Sequence, residues 1–155
     1  MILIEPTIQF QFGRAIRRRA LAAFLRDATA AVRLSGEVSV LLTGDAEIRR
    51  LNRQFRHKDK STDVLSFPAL HIPDGGRNSL AGDLAVSLQT AARQAQEAGH
   101  PLFTELQILV LHGLLHLAGH DHETDTGQMA RKEATLRRRF GLTAGLIERT
   151  ARSRS

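Results

Sequence analysis

The stretch His112-Gly-Leu-Leu-His116-Leu-Ala-Gly-His120-Asp-His122 constrains this chain most tightly, because it sets four of the seven histidines in an otherwise apolar run. His112 and His116 are four residues apart, so on a helix they lie one turn apart on one face. Leu106, Ile108, Leu109, Val110, Leu111, Leu114, Leu115 and Leu117 surround them. A helix apolar nearly all round is a buried one. Gly119 then favours a left-handed turn that ends the helix. Such a turn folds the chain back and brings His122 toward the first two histidines, although His120 competes for that third place. A single histidine in this setting is usually a packed residue with one hydrogen bond. Two buried imidazoles without partners cost roughly 1–3 kcal/mol per unsatisfied group, and a shared metal ion removes that cost from both. Three neutral imidazoles with a fourth position open form the ligand set of a catalytic zinc site. They also accept nickel, cobalt or copper.

The rest of the chain reads as one domain. Ile2 to Phe10 is expected as a strand, Arg14 to Leu34 as a helix ended by Ser35-Gly36, and Val38 to Leu42 as a second strand. Asp45 to Phe55 reads as a helix capped by Asp45 or Thr43, with Ile48, Leu51 and Phe55 facing inward. Val64 to Phe67 and Asp83 to Ser87 are further strands, separated by a Gly- and Pro-rich loop or hairpin tip over Leu70 to Leu80. Leu88 to Ala98 is a helix stopped by Gly99. Pro101 opens the histidine helix, and Gly127 to Phe140 is the last helix, with Met129, Leu136 and Phe140 inward. Strands mostly early and helices mostly late give an α+β fold: a mixed four-stranded sheet with about five helices. Residues 1–142 form the domain. Residues 143–155 are a basic tail without apolar anchors near its end, expected to be partly disordered.

Composition narrows the function classes. The chain has 155 residues and no cysteine, which excludes disulfides and thiolate ligands and suits a reducing cytoplasm. Neither a signal peptide nor an apolar run of the ~18 residues needed for a membrane span is expected. The net charge of +6 suits a nucleic-acid partner, but solvated helix faces explain the runs Arg17-Arg18-Arg19 and Arg137-Arg138-Arg139 equally well. Trp and Tyr are absent and the seven Phe are scattered, so no aromatic platform for bases is evident.

A zinc site makes hydrolysis the default reaction. The His-Glu-x-x-His metalloprotease signature has a glutamate beside its first histidine as general base. Here that place is Gly113, and Asp63, Asp83, Glu105, Asp121 or Glu123 would have to substitute. A phosphodiester needs instead a metal and a cation on its two non-bridging oxygens. In RNA the 2′-hydroxyl could itself attack, which lessens the need for a protein base.

Five segments together resemble one family. They are Asn52-Arg-Gln-Phe-Arg56, Lys58-Asp-Lys-Ser-Thr-Asp-Val-Leu-Ser-Phe-Pro68, Gly82-Asp83-Leu84, the histidine motif, and Met129 with Glu133. They resemble the YbeY family of bacterial endoribonucleases and ribosomal RNA maturation factors, over most of the chain. The resemblance implies a zincin-like α+β domain with one zinc ion (Zn2+) on His112, His116 and His122. It implies single-stranded RNA as substrate, in 3′-end maturation of small-subunit ribosomal RNA and ribosome quality control. The family's cleft arginine matches Arg56, which would bind the scissile phosphate; a structural salt bridge to Asp63 or Asp83 is the competing reading. His120 stands where members often carry Tyr. Asp121 would accept from a ligand imidazole or cap the turn. Asp63, in Thr62-Asp63 ahead of Ser66, would line the cleft or close the loop. Two other functions compete: a metal-stabilised ribosome assembly factor without catalysis, and a metallopeptidase.

Overall fold

The computed structural model describes residues 1–68, 80–120 and 124–142, with Leu80 described in its backbone alone. The expected loop over 70–79, the residues Asp121, His122 and Glu123, and the basic tail lie outside them.

Strand β1 spans Ile2–Ile4 and β2 spans Glu37–Thr43; β3 is Val64–Pro68 and β4 is Leu80–Ser87. Their order is β1-β2-β4-β3, with β1, β2 and β4 parallel and β3 antiparallel to β4, so the expected mixed sheet of four strands is present. Helix α1 is Pro6–Phe12, α2 is Arg18–Ala31, α3 is Asp45–Arg56, α4 is Leu88–Ala98, α5 is Leu102–Leu117 and α6 is Gln128–Arg139.

Side-chain alternation divides the sheet between two layers. Val40, Leu42, Leu84 and Val86 join the main core with α2 and α5, whereas Leu65 and Ala85 meet Ile48 of α3 on the other face. Helix α5 runs through the main core, packed against α2, α4, α6, β3 and β4. Leu106, Leu109, Val110, Leu114 and Leu115 on it are fully buried, each worth about 1.5–3 kcal/mol. Gly113 lets it approach the sheet closely. A Cβ there would stand 2.8 Å from a methyl of Leu84 and 3.4 Å from Ser66 Oγ.

Three local expectations are corrected. The first strand ends at Ile4, because Pro6 sits in the first turn of α1, where its fixed φ and missing N–H suit a helix; Phe10 is 93% exposed. The first expected helix, Arg14 to Leu34, is broken at its start. Gly13–Ile16 is a 3-10 turn and Arg17 is left-handed at φ 51°, so α2 begins at Arg18. Helix α3 is capped by neither Asp45 nor Thr43. Its N-cap is Gly44, and the Asp45 amide donates to Gln89 Oε1 at 2.8 Å. Thr43 instead donates to Glu5.

Candidate active site

Gly119 ends α5 as its position suggests. It is left-handed at φ 94°. Its N–H donates to His116 O at 3.0 Å, and the His120 N–H donates to Leu115 O at 3.1 Å. These paired bonds are the glycine stop of a helix. They carry His120 to the rim of a cleft of about 580 Å³, whose floor holds His112 and His116.

The two α5 histidines converge. Their Nε2 atoms are 3.0 Å apart, with rings inclined at 74°. Nδ1 of His112 is 2.9 Å from Oε2 of Glu133 on α6, and both side chains are buried. A carboxylate only accepts, so Nδ1 carries the proton and Nε2 keeps its lone pair. A carboxylate behind an imidazole is the usual support for a metal-ligating histidine. Nitrogens held about 2.0–2.1 Å from one tetrahedral zinc stand roughly 3.3 Å apart, close to the observed spacing. The pair therefore fits two sites of such an ion. His122 and Asp121 are not among the described residues, and the described residues alone bring together no group of three metal-ligating side chains.

Glu133 is the functional residue that the reading of pattern and spacing missed. Its signal is visible in hindsight. Met129, Glu133 and Leu136 share the inward face of α6, and a charge in that register needs a buried partner.

The opposite wall is polar and basic. Arg56, the last residue of α3, donates to the Ser66 carbonyl and lies with its guanidinium 5.8 Å from the Phe67 ring centre. It forms no ion pair with Asp63 or Asp83. Lys58 and Lys60 stand beside it on the wall. Their loop is held from both sides. Inside, buried Asn52 donates to Lys60 O at 2.9 Å and its carbonyl accepts from the Lys58 N–H at 3.2 Å. Outside, Arg49 grips Asp59 with two bonds of 2.7 and 3.1 Å.

Asp63 fills both roles open to it. It lines the cleft, and it orders the loop by accepting from Val64 N at 2.7 Å and from Gln94 Nε2 at 3.3 Å. Asp83 is exposed on β4 and does not line the cleft. Glu105 is buried at the far end of α5 against His100, 2.7 Å away.

Asp45 ties this wall to the fold. It accepts from Ser87 Oγ at 2.5 Å, Thr90 Oγ1 at 2.6 Å, Arg93 at 3.0 Å and Ser61 Oγ at 3.3 Å. Burial pushes its pKa up, but those Ser87, Thr90 and Arg93 bonds, with the Arg93 charge, outweigh it and hold the carboxyl at about 2. The Arg17 and Arg18 of the first basic run are engaged elsewhere. Arg17 packs 4.5 Å from the Phe103 ring centre, and Arg18 donates to Ile2 O at 3.0 Å.

Fold and site thus define a class: an α+β protein with a carboxylate-backed histidine pair at the floor of a cation-lined cleft, arranged for an anionic ligand. Comparison with known proteins places it more narrowly. The model of a family described as Endoribonuclease YbeY matches residues 6–141. A Koribacter versatilis protein named Endoribonuclease YbeY is 51% identical over 137 residues, 88% of this chain and 86% of its own length. One of the same name from Solibacter usitatus is 52% identical over 134 residues, 86% of each chain. A solution structure from Thermotoga maritima, 31% identical, superposes with a TM-score of 0.54 and covers 87% of this chain and 85% of its own. The chain belongs to the YbeY family. No helix among the described residues is long and apolar enough to cross a membrane.

Proposed function

We propose that this protein is a zinc-dependent endoribonuclease that cuts single-stranded RNA in the cytoplasm. The observation that carries the reading is the pairing of the His112–His116–Glu133 cluster with Arg56, Lys58 and Lys60 across one cleft. A zinc ion bound by His112, His116 and His122 would supply positive charge for a phosphoryl oxygen and acidify water. Glu133 holds the His112 ring in the tautomer that offers Nε2. Arg56 presents its guanidinium to the scissile phosphate, with its orientation set by the Ser66 carbonyl. Lys58 and Lys60 hold the neighbouring phosphates, which gives binding a salt-dependent, sequence-tolerant component.

Maturation of the 3′ end of small-subunit ribosomal RNA and ribosome quality control are the roles that the family resemblance supports. In this proposal residues 1–142 form the catalytic domain, and the tail 143–155 adds basic charge for RNA.

Two observations weigh against peptide hydrolysis. Position 113, where the protease signature has its glutamate, faces Leu84 and Ser66, and even a Cβ there would stand 2.8 Å from a Leu84 methyl. Edge strand β3, which could pair with a peptide, has part of its outward hydrogen-bonding edge occupied. Its Val64 N–H is taken by Asp63, its Ser66 carbonyl by Arg56, and Pro68 has no N–H.

The test is cleavage of a labelled single-stranded RNA by wild type, His116→Ala and Arg56→Ala proteins prepared identically. Cutting by wild type alone, with all three folded, supports the nuclease. Equal cutting by all three marks a contaminant. Cutting by none favours an assembly factor in which the metal only stabilises the fold.

A further inference from the structure

Phe55 stands at the end of α3, directly before Arg56, and is 58% exposed. Its helical spacing from Ile48 and Leu51 suggests an inward ring, but α3 overhangs the edge strand here and the ring reaches solvent. Single exposed apolar residues are ordinary. Phe55 differs in two ways. Its ring is oriented, meeting Phe67 of β3 at 5.6 Å between centres and 66° between planes. It also adjoins the cationic wall, since Arg56 lies 5.8 Å from the Phe67 ring centre while lining the cleft with Lys58 and Lys60. A π-face, a guanidinium and two ammonium groups thus share one corner of the molecule. Sites for single-stranded nucleic acid are made of these parts: cations follow the phosphates and an aromatic ring stacks on a base. An apolar protein partner would gain nothing from three cations that, among the described residues, have no carboxylate partner.

We propose that Phe55, braced by Phe67, is a stacking subsite for the nucleobase next to the phosphate held by Arg56. The subsite rests on the RNA reading of the cleft and deepens it. It tolerates any base, since every base has a π-face. It admits only an unpaired one, because a base within a duplex has both faces covered. The aromatic platform that the scattered Phe residues did not suggest is assembled by the approach of α3 to β3.

The chain contains no Trp and no Tyr, so Phe55→Trp places a single indole at the subsite. Its emission is followed while a short single-stranded oligoribonucleotide is added, and separately an abasic oligomer of the same length. Binding of the same two oligomers to wild type and Phe55→Leu is measured by anisotropy, with thermal unfolding of each protein. Leu keeps an apolar contact with Phe67 and removes only the π-face. The expected result is quenching by the base-bearing oligomer alone. Phe55→Leu should also bind that oligomer roughly tenfold more weakly, with unfolding and abasic binding unchanged. Equal quenching by both oligomers, or wild-type binding by Phe55→Leu, overturns the subsite and leaves the RNA reading standing. If wild type binds neither oligomer, the RNA reading falls and takes the subsite with it.

Discussion

Ten of the sixteen residues of α5 are buried, against two of the twelve of α3, yet both helices deliver side chains to the same cleft. Helix α5 holds its histidines by packing. The neighbours of His112 along the helix, Ile108, Leu109, Leu111, Gly113 and Leu115, are buried, and the His112 ring is held by Glu133. Helix α3 holds Arg56 at its exposed end and is positioned by hydrogen bonds: Asp45 at its first residue, Asn52 in its middle and the Ser66 carbonyl at its last. The difference suits what each wall is proposed to bind. Metal ligands need fixed rings in a dry site. A flexible polyanion is met by charges that stay solvated, since a buried unpaired charge is expensive.

Variants that attack one wall at a time test this contrast. The largest effect is expected at Gly113. Gly113→Glu, which restores the protease-like residue, should yield no folded protein, because Leu84 occupies the space. Gly113→Ala should lose about 1–3 kcal/mol in urea unfolding. A folded Gly113→Glu protein with peptidase activity would break the account of the α5 wall.

Next is Arg56→Ala, for which RNA cleavage should fall about 100-fold while the melting temperature stays near wild type. A large loss of stability would make Arg56 a structural residue instead. Glu133→Gln comes third. The amide keeps an acceptor for His112 but removes the charge, so zinc affinity measured by titration should drop about 10- to 100-fold. An unchanged affinity would separate Glu133 from the metal.

The smallest effect is at Asp45. Its folded pKa of about 2 lies below the unfolded value near 3.9, so its stabilisation is complete above about pH 4 and is lost as pH falls toward 2. Asp45→Asn should cost about 1 kcal/mol at neutral pH and flatten that acid limb in urea unfolding. An acid limb identical to wild type would remove Asp45 as the anchor of the α3 wall.

How legible each part was depends on the sequence distance of its causes. The buried histidine helix, its glycine stop and the convergence of His112 with His116 could be read directly, because they follow from spacing within one turn. The α+β class with a four-stranded sheet could be read from the order of the elements, strands mostly early and helices mostly late. The first strand was overextended because alternating Ile and Phe read alike in a strand and in the short helix that Pro6 starts. Glu133 was legible as part of the family resemblance but without a role, because its partner His112 lies on another helix. Phe55 has inward spacing but is exposed, because that spacing buries a side chain only where a sheet lies beneath the helix.

The sequence by itself determined the elements whose cause is local: the apolar periodicity of α5, the left-handed stop at Gly119, and the histidine pair that one helical turn aligns. Only the tertiary structure decided what lies opposite them. The carboxylate behind His112 comes from 21 residues further along the chain. Arg56 reaches the cleft, with Phe55 beside it against Phe67, because β3 takes the sheet edge beside α3, and Gly113 is needed because β4 presses on α5 there. Helical spacing reports which side chains share a face. The elements that pack against that face are selected by burial of the whole core.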